Sequence, residues 1–251
     1  MSSGLSGRRV RAALSALLGA VAVTVASAAV AAPAQAAPAA ADTSAHGTVV
    51  RLRVEGRSGT IFEAPVFTTP HDVTTPSGGT HHCDGTNNGT NPTPGPTATG
   101  ALDDGARLGG FTFDGTYWAS FDDFFITRVA GDEQTATEFW GILLNKEFTP
   151  VGGCQQQVAF GDEVLFAFDA FSKSHVLSLS GPAVARVGKP ATYKVVDASS
   201  GAPIAGATVN GATTDANGEV TLTHTAVGAV RVKADRADSI RSNSVLTFVA
   251  P

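Results

Sequence analysis

Cys83 and Cys154 are the two cysteines of this 251-residue chain, and each stands in a glycine-rich stretch, His81-His82-Cys83-Asp84-Gly85 and Gly152-Gly153-Cys154. Such residues serve three chemistries: a disulfide, a reactive thiol or a metal site. The His-His-Cys-Asp run supplies ligand atoms, but adjacent histidines in a loop rarely converge on one ion, and a cysteine held in a disulfide does not ligate. Asp84-Gly85-Thr86-Asn87-Asn88-Gly89 resembles the start of a calcium loop, with Asp first, Asn fifth and Gly sixth. Its third position is Thr and its twelfth is Gly95, where a calcium loop needs a bidentate Glu. No metal and no cofactor are expected, and a solvated turn is the plainer account of this run.

The start of the chain favours the disulfide. Residues 1–36 read as an export signal: Arg8, Arg9 and Arg11 make the positive start, Ala12 to Val30 is apolar, and Ala34-Gln35-Ala36 is a small-residue cleavage site. An export context makes pairing the default for two cysteines, and closing a loop of about 70 residues stabilises by roughly 4 kcal/mol on the chain-entropy account. Removing the signal leaves 14 basic and 22 acidic residues, a formal charge of −8. Nucleic acid is therefore not an expected partner. No later stretch is apolar enough to span a bilayer. The mature chain is expected to be secreted and extracellular, or held at the cell envelope by contacts.

No residue set makes an active site. The chain has no Gly-x-Ser-x-Gly elbow, no His-Glu-x-x-His, no phosphate-binding glycine loop and no Cys-x-x-Cys. Asp103-Asp104 and Asp122-Asp123 are paired carboxylates, but neighbours on a strand point to opposite faces, so they read as turn or surface acids. His71, His81, His82 and His175 have no serine or threonine beside them in a recognisable arrangement. No catalytic residue is expected.

The aromatic residues offer binding instead. Tyr117, Trp118 and Phe121 form one group and Phe139 with Trp140 another. Exposed, they make a stacking platform for a sugar ring or flat ligand; buried, they supply the aromatic area on which a small β domain relies. Trp118, following the Asp114-Gly115 turn, is the better candidate for exposure.

These residues must be positioned by short elements. Val50-Arg51-Leu52-Arg53-Val54 alternates as a half-buried strand does, Gly56 to Gly59 makes a turn, and Thr60 to Thr68 returns as a second strand, where Pro65 marks an edge or a bulge. Residues 70–97 read as one long loop carrying Cys83. Thr97 to Leu108, with a Thr cap, early acids and a late Arg, predicts one short helix. Then come β-type runs at 111–113, 124–129, 138–145 and 163–168. Hairpin, helix, then strands is the order of a β-grasp.

The strand at Val50 to Gly56, Thr60-Ile61-Phe62-Glu63, the run Phe139 to Asn145, and Val151-Gly152-Gly153-Cys154 leading to Gly161-Asp162-Glu163-Val164 resemble the bacterial transcobalamin-C-terminal-like (DUF4430) domain, over roughly 47–171. The resemblance implies a β-grasp head whose aromatic-bearing strand and turn face a ligand or partner, here Trp140, Asn145 and the Gly161-Asp162-Glu163 turn. The sequence lacks the large helical domain that encloses the cofactor in transcobalamin. Half of an enclosing pocket buries too little ligand surface.

From 176 to 250 phenylalanine almost disappears, after a short hinge at 169–174. Gly201-Ala202-Pro203-Ile204-Ala205-Gly206-Ala207, Asn210-Gly211 and the Thr214-Asp215-Ala216-Asn217-Gly218 turn resemble bacterial Ig-like and carboxypeptidase-regulatory-like modules. The expected architecture is mainly β: an α+β, β-grasp-like head with one short helix, then an Ig-like β-sandwich. The expected function is non-enzymatic recognition of a small ligand, a glycan or a surface protein through Tyr117, Trp118, Trp140 and Asn145, with contacts from the 81–95 segment. The rival readings are a structural cell-envelope protein and an unrecognised hydrolase whose groups converge from distant segments. The oligomeric state is not legible.

Overall fold

The computed structural model describes residues 46–251, so the export signal expected over 1–36 lies outside the described residues. The alternating run forms β1 (Thr48–Glu55), which pairs antiparallel with β2 (Thr60–Thr68). Val50, Leu52 and Val54 are fully buried, as their period of two requires. Pro65 lies opposite Arg51 on β2, an edge strand whose outer side needs no donor.

Residues 70–97 depart from the expected loop. They begin with a hairpin, β3 (His71–Thr75) and β4 (Gly79–Cys83), so His81, His82 and Cys83 sit on a strand. Polar residues fill most of both strands, and of the three buried positions, Val73, Thr75 and Cys83, one is itself polar, which hides the alternation. α1 (Ala98–Gly109) begins where expected: the Thr97 hydroxyl accepts from the Gly100 N–H at 3.1 Å. The acids do not meet its dipole, since the first turn has none; Asp103 and Asp104 pair with Arg107 instead. Gly105 is there for closeness: a Cβ would lie 2.1 Å from Leu52 Cδ2, so the helix could not seat on β1.

Next come β5 (Phe113–Trp118), β6 (Asp123–Val129) and β7 (Asp132–Glu133), which form a separate three-stranded sheet. β8 (Trp140–Leu144), β9 (Glu147–Phe148) and β10 (Glu163–Phe168) join β1 and β2 in the order β2-β1-β10-β8-β9, with β10 parallel to β1. A hairpin, a helix, and a last strand returning parallel beside the first make a β-grasp. Cys83 and Cys154 form the expected disulfide, 71 residues apart and both fully buried.

The second half carries β11 (His175–Ser180), β12 (Val184–Arg186), β13 (Pro190–Asp197), β14 (Thr208–Val209), β15 (Ala212–Thr213), β16 (Glu219–Thr223), β17 (Gly228–Val232), β18 (Ala234–Asp235), β19 (Ser239–Ile240) and β20 (Val245–Ala250). β16-β13-β11-β19 form one sheet and β12-β20-β17 another. Leu177, Tyr193, Val195, Val209 and Val232 fill their core, and Asn210-Gly211 turns β14 into β15 as its type predicts.

In the stretch read as a hinge, 169–174, Phe171, Ser172 and Ser174 are exposed and Ala170 alone is buried. Ala170 is buried with Leu143, Leu165, Ala167 and Ile240, and the described residues belong to one compact unit. Beside this apolar contact lies a buried ionic one. Arg53 donates to Glu163 at 2.7 Å and to the Arg241 carbonyl. Lys233 Nζ reaches Glu55 at 2.6 Å and Glu63 at 2.8 Å, and Arg241 Nε reaches Glu55 at 2.8 Å. Ser244 donates its N–H and hydroxyl to Glu63, both at 2.7 Å.

Candidate functional site

The β5–β6 register places Trp118 opposite Asp123 and Thr116 opposite Phe125, so these four share one face of the hairpin; Tyr117 and Phe124 share the other. On the inner side, Tyr117 stacks on His81 with ring centroids 3.4 Å apart. On the outer side, Trp118, Phe121 and Phe125 are 49%, 56% and 39% exposed. Trp118 lies 5.8 Å from Phe121 and 6.1 Å from Phe125, centroid to centroid. These rings and the segment from Thr149 to Gly152 with Gln155 surround a hollow of about 520 Å³. A second hollow of about 240 Å³ shares Phe125 and Val151 and continues to Trp140, Phe148 and Phe171. A polar cleft lies between the two halves of the chain, but Arg57, Lys173 and Arg241 on its wall are each paired with an acid.

Two aspartates hold the walls. Asp123, read from sequence as a turn or surface acid, is buried, which corrects that reading. Its carboxylate accepts the N–H groups of Phe124 at 2.7 Å, Cys154 at 3.1 Å and Gln155 at 3.2 Å, tying the far wall to the hairpin. Gly152 permits this approach, because a Cβ there would stand 2.2 Å from Asp123 Oδ2. Burial pushes the Asp123 carboxyl up to about 6, against the three N–H donors. Gln155 Nε2 also donates to the Phe121 carbonyl at 2.6 Å.

Asp122 sits in the turn between Trp118 and Asp123, with φ at 50°. His82 Nε2 lies 2.9 Å from its carboxylate, the Asn88 N–H donates at 3.1 Å, and the Tyr117 hydroxyl donates as well. Burial works against the Asp122 charge, but these donors together hold its carboxyl below the usual value, and Asp122 in turn pushes the Tyr117 hydroxyl up to about 12. The hydrogen bond to Asp122 raises His82 above 6.5; burial opposes the shift, and the charges of Asp122, Asp84 and Asp72 add to it.

A histidine raised in the folded state stabilises fully below its unfolded value, near 6.5, and that contribution is lost as pH rises through its folded value. His82→Gln should therefore lower the melting temperature relative to the unaltered chain at pH 5.5 and make little difference at pH 9. Comparing melts of the two proteins at both values isolates His82 from His71, which is raised by Asp103. A difference that does not depend on pH would overturn this assignment.

Of the residues singled out in the sequence, Trp118 lines the larger hollow. Tyr117 is half-buried and supports the turn from behind. Trp140 is 4% exposed, packs edge-on against Phe168, and donates its indole N–H to the Asp132 carbonyl at 3.1 Å. It borders only the second hollow. Asn145 lines neither hollow; it bonds Asp162 at 2.8 Å and the Glu163 N–H at 3.0 Å, pinning the Gly161-Asp162-Glu163 turn. The 81–95 segment acts through His82, Asn87 and Asn88, which grip the turn carrying Trp118 and Phe121. Phe125 and Asp123 were missed as site residues. Their only signal was strand alternation with Trp118, which becomes informative once the pairing is known. Among the described residues no group of three His, Cys, Asp or Glu side chains is placed to hold a metal, and no helix is long and apolar enough to cross a membrane.

No family model matches the chain, and no curated protein matches it. Among solved structures, a crystal structure of haptocorrin in complex with Cbi is similar at 15% identity and a TM-score of 0.32. The likeness covers 49% of this chain, which spans 25% of that one. A score of that size carries no argument about the ligand.

Proposed function

We propose that this chain is an exported, non-enzymatic binding protein whose β-grasp head, of the transcobalamin-C-terminal-like type, takes a small ligand, a glycan or a surface group against Trp118, Phe121 and Phe125. One observation carries the reading: three exposed aromatic rings surround a hollow of about 520 Å³ on a wall braced by a disulfide and two aspartates. A pocket of this volume suits a small organic molecule, and exposed rings in contact with one another are kept out of the core at a cost in apolar burial.

A second reading, a structural envelope protein, has in its favour the exposed Val184, Leu246 and Phe248 on the sheet of the rear half. Tryptophan fluorescence separates the two. Trp140 is shielded, so acrylamide should quench Trp118 almost alone. In a panel of corrinoids, glycans and cell-wall fragments, the binding reading expects one class to protect Trp118, with its binding, read by calorimetry, lost in Trp118→Ala. Quenching that no compound alters would favour the structural reading.

A further inference from the structure

We infer that the ligand of the aromatic hollow is an organic cation, a tertiary or quaternary ammonium group on a small apolar body, seated against Trp118, Phe121 and Phe125 beside the Asp123 carboxylate. The inference rests on the binding reading above and names its ligand class. Charge comes first. Among the described residues, Asp123 is the one ionisable side chain lining the hollow, and no lysine, arginine or histidine lines it. The next ionisable neighbour in the chain, Asp122, is also acidic. An anionic ligand would meet the Asp123 carboxylate and no base in the lining, Asp122 being paired with His82 outside it, whereas a cation meets a negative field in a chain whose acids outnumber its bases.

Hydrogen bonding comes second. Asp123 Oδ1 accepts from Phe124 and Cys154, and Oδ2 accepts from Cys154 and Gln155. The Gln155 amide is committed to the Phe121 carbonyl. Few acceptors remain for the many hydroxyls of a sugar or for the three donors of a primary ammonium, and an unmet donor in such a place is costly. A quaternary ammonium has no N–H to satisfy. It draws its affinity from the field of the carboxylate, which persists when the lone pairs are engaged, and from the negative faces of the rings, tryptophan above all. The rings are tilted by 35° and 46° to Trp118 rather than stacked flat, so they form sides of a cage instead of filling one another's faces.

The test uses the oxidised mature protein at pH 8, where Asp123 is ionised. Choline and tetraethylammonium are titrated against Trp118 fluorescence beside the neutral tert-butyl isostere of choline, in which carbon replaces the ammonium nitrogen. The cation should bind about tenfold or more tightly than its isostere, because aromatic faces attract a desolvated cation and not a neutral group of the same shape. Calorimetric titration, which does not need the indole as its reporter, should show the binding abolished in Trp118→Ala and the preference reduced in Asp123→Asn. Because Asp123→Asn also alters backbone hydrogen bonds, the isostere comparison on the unaltered protein decides. Equal affinity of cation and isostere, no response to either cation, or cation binding unchanged in Trp118→Ala would overturn the inference. A glycan or corrinoid that protects Trp118 while the cations do not would overturn the cation class and leave the binding reading standing.

Discussion

Glu55→Ala is expected to destabilise the protein by about 3 kcal/mol, the lower part of the range for removing one partner of a buried ion pair. Glu55 is 2% exposed, and its two oxygens take Lys233 at 2.6 Å and Arg241 at 2.8 Å, with Arg53 3.7 Å away. Without it, Lys233 keeps Glu63 and Arg53 keeps Glu163, but Arg241 retains only the Gly56 and Gly59 carbonyls. The loss falls at the contact between the β-grasp head and the rear sheets, so urea unfolding should shift to lower denaturant and broaden towards two steps as the halves uncouple. An unchanged midpoint would show that water reaches this junction and screens the pairs. High salt should do little to the unaltered protein, because buried pairs are screened far less than exposed ones.

Breaking the Cys83–Cys154 bond should cost more. The cysteines are 71 residues apart, and on the chain-entropy account opening such a loop removes roughly 4 kcal/mol. For a chain of this size that lowers the melting temperature by roughly 10 °C. The bond also anchors the site: the Cys154 N–H donates to Asp123, and the Cys154 carbonyl accepts from Gly85 at 2.9 Å. The double variant Cys83→Ala/Cys154→Ala should thus melt earlier and lose the Trp118 response to any ligand. Calorimetry of the oxidised, reduced and doubly substituted proteins checks this. Equal melting of all three would mean that the buried contacts around the pair, including Thr97 against the Cys83 carbonyl, suffice to hold the loops.

Local pattern carried much of the fold. The alternation of Val50, Leu52 and Val54, the Thr97 cap and the Asn210-Gly211 turn are each legible within a few residues, because the interactions that decide them are made within those residues. The disulfide was legible from two cysteines in a chain whose start reads as an export signal. What depends on distant partners was not. The β3–β4 hairpin turns Val73, Thr75 and Cys83 inward, a threonine among them, and so carries no apolar rhythm of its own. Asp123 reads like any turn acid until the 152–155 segment, 31 residues away, brings its N–H groups to it. Trp118 and Trp140 are alike as residue types; Trp140 is buried because β8 pairs with the central β10, whereas the β5–β6–β7 sheet stands apart and leaves Trp118 facing outward. Glu55 and Arg241 are 186 residues apart, and only folding of the whole compact unit turns two ordinary surface residue types into a buried pair. Sequence by itself determined the mainly β fold class and its local elements, since period, capping and turn chemistry are short-range. Tertiary structure alone decided which aromatic rings stay exposed and which acid lies beside them, since that depends on burial against segments far along the chain.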